Sequence, residues 1–108
     1  MVLFLPEVEA YLFELVEILY KKEYFGFKES ALKYVEDLQQ DIISTLPNRH
    51  RRYAPPLFDR YGKNMLYSIF PKSKATKWYV FYTIYNDNGE FVFLVRYISN
   101  NHRIGKYL

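Results

Sequence analysis

The residues best equipped for chemistry crowd into the last ten positions, SNNHRIGKYL (99–108). An imidazole (His102), a guanidinium (Arg103), an ammonium (Lys106) and a phenol (Tyr107) follow two amides there. Imidazole titrates near neutrality and can take either proton role in a reaction. Arginine and lysine stabilise negative charge developing on a phosphate. Tyrosine can orient a substrate through its hydroxyl or stack its ring on a base. Together they suit acid–base chemistry on a phosphate ester. The competing reading is a polar, frayed chain end.

Two further groups of cations lie upstream. Lys72 and Lys74 belong to the turn KSKAT and Lys77 follows it, while Arg49, Arg51 and Arg52 surround His50 in NRHRR. Either group can meet phosphate, and either can be solvated surface. Arg96 stands in an otherwise apolar run, FVFLVRYI (91–98). It pairs with an acid from the helical half, Glu36 or Asp41, or it faces a groove beside His102. The groove is preferred, because residues 96 and 102 flank the same bend. Tyr79 is a candidate base platform as well as a packing residue, and Trp78 is expected in the core.

Charge is divided along the chain. Residues 1–46 carry a balance of −5 and residues 47–108 a balance of +8, which gives the net +3. An acidic first half joined to a basic second half fits a polyanion-binding face on a neutralising scaffold. The 12 tyrosines and 9 phenylalanines suit a part-wet binding face or a β-sheet.

Composition also closes off several classes. With no cysteine there is no disulfide framework, thiolate nucleophile or cysteine-ligated metal, and two histidines are thin material for zinc. No metal or other cofactor is expected. The apolar opening, Met1–Leu5, is too short for a signal-peptide core and is interrupted by Pro6 and Glu7. No run approaches a membrane span. The expectation is a soluble cytoplasmic protein, with 108 residues forming one domain.

The elements that must position these residues follow from periodicity. VLFL (2–5) is a short apolar run. Pro6 opens a helix, where its missing N–H costs nothing, and Glu7 and Glu9 complement the helix dipole. Leu12, Leu15, Val16 and Leu19 recur at helical spacing, which predicts a helix ending near Lys22 before the corner EYFGF. A second helix, residues 28–46, carries the stripe Ala31, Leu32, Val35, Leu38, Ile42 and Leu46 and stops at Pro47. Residues 47–64 read as a loop with at most one short element. Strands are predicted over 66–70, 77–85 and 90–98, the last two joined by NDNG, a strong hairpin signal. The resulting fold class is α+β, with an N-terminal strand and a helical hairpin on an antiparallel sheet, β-α-α-β-β-β. Alternation gives each long strand two apolar faces, and the tyrosine-bearing face, with Tyr79, is expected to be the wet one.

This order, with VLFLPEVEAYLFEL at the start and FVFLVRYISNNHRIGKYL at the end, resembles the RelE/ParE superfamily of toxins from bacterial toxin–antitoxin systems. The likeness spans nearly the whole chain in order and spacing. It implies a cytoplasmic toxin held inactive by a cognate antitoxin protein, acting as a metal-free, ribosome-dependent mRNA endoribonuclease that blocks translation. Tyr107 matches the C-terminal tyrosine of nuclease members, and His102 falls where several keep a catalytic histidine or arginine. Two positions depart from the pattern: Asn101 and Tyr79 stand where nuclease members often carry arginine. These departures favour an alternative, a member that acts by binding, either a DNA gyrase inhibitor or a silenced toxin that binds only its antitoxin. His102, Tyr107 and the basic turn favour the nuclease, which is the preferred reading.

Overall fold

In a computed structural model, residues 1–22 and 25–108 are described. Strand β1 (Val2–Phe4) leads directly into helix α1 (Pro6–Lys21), and helix α2 (Lys28–Thr45) follows. Pro6 does sit at the helix start, with Glu7 and Glu9 in its first turn. The predicted EYFGF corner falls partly outside the described residues, since Glu23 and Tyr24 belong to it. Val8, Leu12, Leu15 and Val16 of α1 meet Ala31, Val35, Leu38 and Ile42 of α2 over the sheet. Leu32, predicted in that stripe, instead points outward and is exposed.

The remaining strands are β2 (Arg52–Tyr53), β3 (Leu66–Pro71), β4 (Lys77–Asp87) and β5 (Glu90–Asn100), and a one-turn helix α3 (Asn101–Ile104) follows β5. The sheet order is β1-β5-β4-β3-β2. In the β4–β5 hairpin, Asn88 and Gly89 both take positive φ (53° and 87°), as a two-residue primed turn requires. Asn86 Oδ1 accepts a hydrogen bond from the Gly89 N–H at 2.8 Å, which closes the turn.

Three expectations need correction. First, the sheet is mixed: β2 to β5 pair antiparallel, but β1 runs parallel to β5. Hydrophobic alternation fixes which face of a strand is buried but says nothing about the direction of its neighbour. Second, residues 46–64 hold more than one element. There are 3₁₀ turns at Leu46–Asn48 and Pro56–Tyr61, with β2 between them. Third, the tyrosine-bearing face is not wet. Phe58 from the second 3₁₀ turn and Ile104 from α3 cover it, forming a second core with Met65, Tyr67, Tyr79 and Phe81.

A β-bulge explains how β5 serves both cores. Tyr97 pairs with Phe81 and Val95 with Tyr82, so Arg96 is one residue more than the partner strand matches. Phe93, Val95 and Ile98 therefore all reach the helical core, across a break in the two-residue period. Tyr97 meets the other core.

Candidate functional site

The C-terminal segment is folded against the sheet. Asn100 caps α3, its Oδ1 accepting from the His102 N–H at 3.0 Å and the Arg103 N–H at 3.2 Å. Asn101 ties this end to the basic turn. Its Oδ1 accepts from the Lys77 N–H at 2.8 Å, and its Nδ2 donates to the Ala75 carbonyl at 3.1 Å. Ile104 is buried in the second core. The two amides ahead of the histidine thus hold the segment in place. A pair of asparagines at a strand end is a recognisable cap signal, but Asn101 reaching across to the turn depends on tertiary structure.

The turn is itself ordered. Ser73 Oγ accepts from the N–H groups of Ala75 (3.2 Å) and Thr76 (3.1 Å), and the Lys72 N–H donates to the Thr76 carbonyl at 3.0 Å. His102 Nε2 lies 3.2 Å from Thr76 Oγ1. His102, Lys72, Ser73 and Thr76 line one cavity of 210 Å³, with Tyr34 and Trp78 at its base. Trp78 donates its Nε1–H to the Tyr34 hydroxyl at 2.8 Å, which fixes both aromatic rings. Lys74 and Lys77 are exposed beside this cavity on the turn and the start of β4.

The four C-terminal residues proposed to act together do not share one cavity. Arg103 and Arg96 line a different space of 500 Å³, where the edge of β5 meets the first turns of α1, with Glu7, Tyr11, Tyr61 and Tyr97. Arg96 therefore does not face a groove beside His102; the bulge leaves it on the face of the second core, with its stem against Gly62. Nor does it pair with Glu36 or Asp41. Its Nε donates to Thr83 Oγ1 at 2.9 Å and its Nη2 to the Tyr85 hydroxyl at 2.6 Å. Lys106 and Tyr107 line neither space. The Lys106 ammonium sits 5.1 Å from the centre of the Tyr107 ring, and both residues are exposed.

Burial raises the Tyr11 phenol above its ordinary range, against the opposing pull of the Arg103 guanidinium. Burial raises Tyr61 as well, and the adjacent Tyr97 hydroxyl adds to the shift. The Tyr61 and Tyr97 rings stack 3.8 Å apart and 6° from parallel. Both raised phenols stay protonated at pH 7 and remain hydrogen-bond donors.

The other predicted phosphate contacts fare unevenly. Arg49 is committed to the fold. Its Nη2 meets Asp41 Oδ2 at 3.2 Å, its Nε donates to Thr45 Oγ1 at 3.0 Å and its Nη1 to the Ile69 carbonyl at 3.1 Å. Its guanidinium carbon also sits 3.9 Å from the centre of the Phe70 ring. Arg51 donates to the Pro47 carbonyl at 2.9 Å. Arg52 is exposed and lines a third space with His50. Tyr79 is only 8% exposed, leaving no ring face for a base. Arg49→Ala is expected to cost about 2 kcal/mol, because it leaves the part-buried Asp41 carboxylate without its cation and removes the side-chain donor to the Ile69 carbonyl. Urea denaturation measures this loss. An unchanged midpoint would return Arg49 to the pool of surface cations.

Among the described residues no helix is long and apolar enough to cross a membrane. Comparison of the chain with protein-family models, curated proteins and solved structures finds no match. The fold and the side chains therefore define the class by themselves: a single α+β domain with a mixed five-stranded sheet and a histidine–lysine cavity at one end.

Proposed function

We propose that this chain is the toxin of a toxin–antitoxin pair, a RelE/ParE-like domain that cuts mRNA on the ribosome and so blocks translation. The observation that carries this reading is the convergence of His102 and Lys72 in one cavity, at a turn that Asn101 ties to the C-terminal segment. The chemistry needs only side chains. The His102 imidazole takes the proton of a ribose 2′-hydroxyl, and the resulting oxygen attacks the adjacent phosphorus. The Lys72 ammonium stabilises the added negative charge on the phosphate oxygens. The bond to the 5′-oxygen breaks, and the imidazolium or water protonates that oxygen. The products are a 2′,3′-cyclic phosphate and a 5′-hydroxyl end. Lys74 and Lys77 flank the cavity and would meet neighbouring phosphates.

A second reading keeps the scaffold but removes the cleavage: a toxin-like domain that acts by binding its antitoxin or DNA gyrase. It is favoured by the separation of Arg103, Lys106 and Tyr107 from the His102 cavity. Induced expression in bacteria distinguishes the two. Growth should arrest, co-expression of the cognate antitoxin should restore it, and primer extension should reveal cuts in mRNA that appear only when ribosomes are present. Arrest with intact mRNA would select the binding reading, and normal growth with soluble protein would remove both.

A further inference from the structure

The contact between His102 and Thr76 joins two separately fixed pieces of chain, and the cleavage step above makes no use of it. We propose that Thr76 is a positioning residue for His102. Its hydroxyl accepts the Nε2–H of the imidazole, which fixes the tautomer and leaves Nδ1 as the nitrogen that takes and returns the proton. The catalytic consequence rests on the cleavage reading, whereas the state of the imidazole rests on the fold alone.

Each partner is held independently. Thr76 is bonded through its backbone: its N–H donates to Ser73 Oγ at 3.1 Å, and its carbonyl accepts from the Lys72 and Ser73 N–H groups at 3.0 and 3.2 Å. None of these bonds engages its hydroxyl. His102 lies in α3, which Asn100 caps at the His102 N–H and which buried Ile104 fastens to the second core. Asn101 closes the gap between the two pieces. Its side-chain amide bonds the Ala75 carbonyl and the Lys77 N–H, on either side of Thr76. Fixed backbone on both sides therefore frames the 3.2 Å between Thr76 Oγ1 and His102 Nε2.

A hydroxyl can donate to an imidazole nitrogen or accept from one, and a neutral ring carries a single proton. If Thr76 donated to Nε2, the ring proton would sit on Nδ1, and neither nitrogen would offer a free lone pair. If Thr76 accepts, Nε2 keeps its proton and Nδ1 presents the lone pair. Among the described residues the bond to Thr76 is the only one the ring makes, so Nδ1 is open. Only the second arrangement lets His102 act as a base without breaking this contact, and the imidazolium retains it, since Nε2 still donates. The nitrogen that removes the 2′-hydroxyl proton can then return it to the 5′-oxygen. Orienting a catalytic histidine through its other nitrogen is the part a third group plays in hydrolase triads.

Nitrogen chemical shifts of the histidine-labelled intact chain read the tautomer, at a pH where the ring is neutral and with signals assigned by their loss in His102→Ala. Wild type should show a protonated Nε2 and a bare Nδ1. Thr76→Val keeps the shape and the backbone bonds but deletes the hydroxyl, and should move both signals toward those of a tautomer mixture. Thr76→Ser should keep the wild-type pattern. In ribosome-dependent cleavage, Thr76→Val should lower kcat about tenfold with KM unchanged, the scale of one lost hydrogen bond, and Thr76→Ser should recover most of that loss. A wild type with its proton on Nδ1, or unchanged shifts in Thr76→Val, would overturn the proposal. Should the wild type cut nothing, the cleavage reading fails while the shifts still decide the tautomer. If His102→Ala abolishes cleavage and Thr76→Val keeps the full rate, the cleavage reading stands and the positioning role falls.

Discussion

His102→Ala is expected to lower ribosome-dependent mRNA cleavage by about 10²-fold or more, the usual scale for a lost acid–base group. Melting temperature should hardly move. The imidazole is exposed, and its one side-chain hydrogen bond runs to Thr76. The fold of the segment rests on groups the substitution leaves in place: the Asn100 cap, the two Asn101 bonds and buried Ile104. Lys72→Gln should also slow cleavage while preserving the fold, through loss of charge stabilisation. Tyr107→Phe provides the contrast. The proposed resemblance to RelE/ParE toxins implies a catalytic role for that tyrosine, but it lines neither cavity, and its substitution should change cleavage by less than about threefold, within the range of an indirect effect. Primer extension on ribosome-bound message, with circular dichroism on the same samples, reads both quantities. Intact cleavage in His102→Ala would remove the imidazole from the mechanism. A large loss in Tyr107→Phe would mean that the segment rearranges on the ribosome to bring the two together.

The parts of this architecture that were legible in the sequence are those encoded by local rules. Pro6 with Glu7 and Glu9 marks a helix start, the 3.6-residue stripes mark two helices, and Asn88-Gly89 marks a hairpin. Each appears where those rules place it. What was hidden depends on contacts between distant residues. The bulge at Arg96 is one inserted position, and without the partner strand an alternating pattern reads straight through it. Nearness to the bend suggested a place beside His102, whereas the fold sets Arg96 against Gly62, Thr83 and Tyr85. Arg49 shows the same limit. In NRHRR it looks like any other cation, and only the positions of Asp41, Thr45 and Phe70 reveal that it is consumed internally. The covering of the tyrosine face was illegible for a related reason: a six-residue 3₁₀ turn has no periodicity long enough to announce itself.

Phe58→Ala should be the most destabilising single change in the region that covers that face, costing about 3–5 kcal/mol. Phe58 is 1% exposed. Its ring centre lies 4.7 Å from that of Phe81 and 6.4 Å from that of Tyr97. It is the only fully buried side chain of the turn Pro56–Tyr61, so it fastens that turn to the sheet. Truncation removes the ring and leaves a void between β4, β5 and the turn, and the stiff aromatic neighbours can close it only in part. A domain of this size is stable by about 5–15 kcal/mol, so the loss takes a large share of the whole. At roughly 4–8 °C per kcal/mol, the melting temperature should fall by about 15 °C or more. Loosening the turn should also disturb the Tyr61–Tyr97 stack, which near-ultraviolet circular dichroism reports through the tyrosine bands. If the face were open to solvent, as the alternation of β4 alone implies, the same substitution would cost less than about 1 kcal/mol. Urea denaturation separates these outcomes, because they differ by several times the error of the method. A small loss would mean that the turn stands away from the sheet in solution, and Tyr79 would then regain the exposed ring face that base stacking requires.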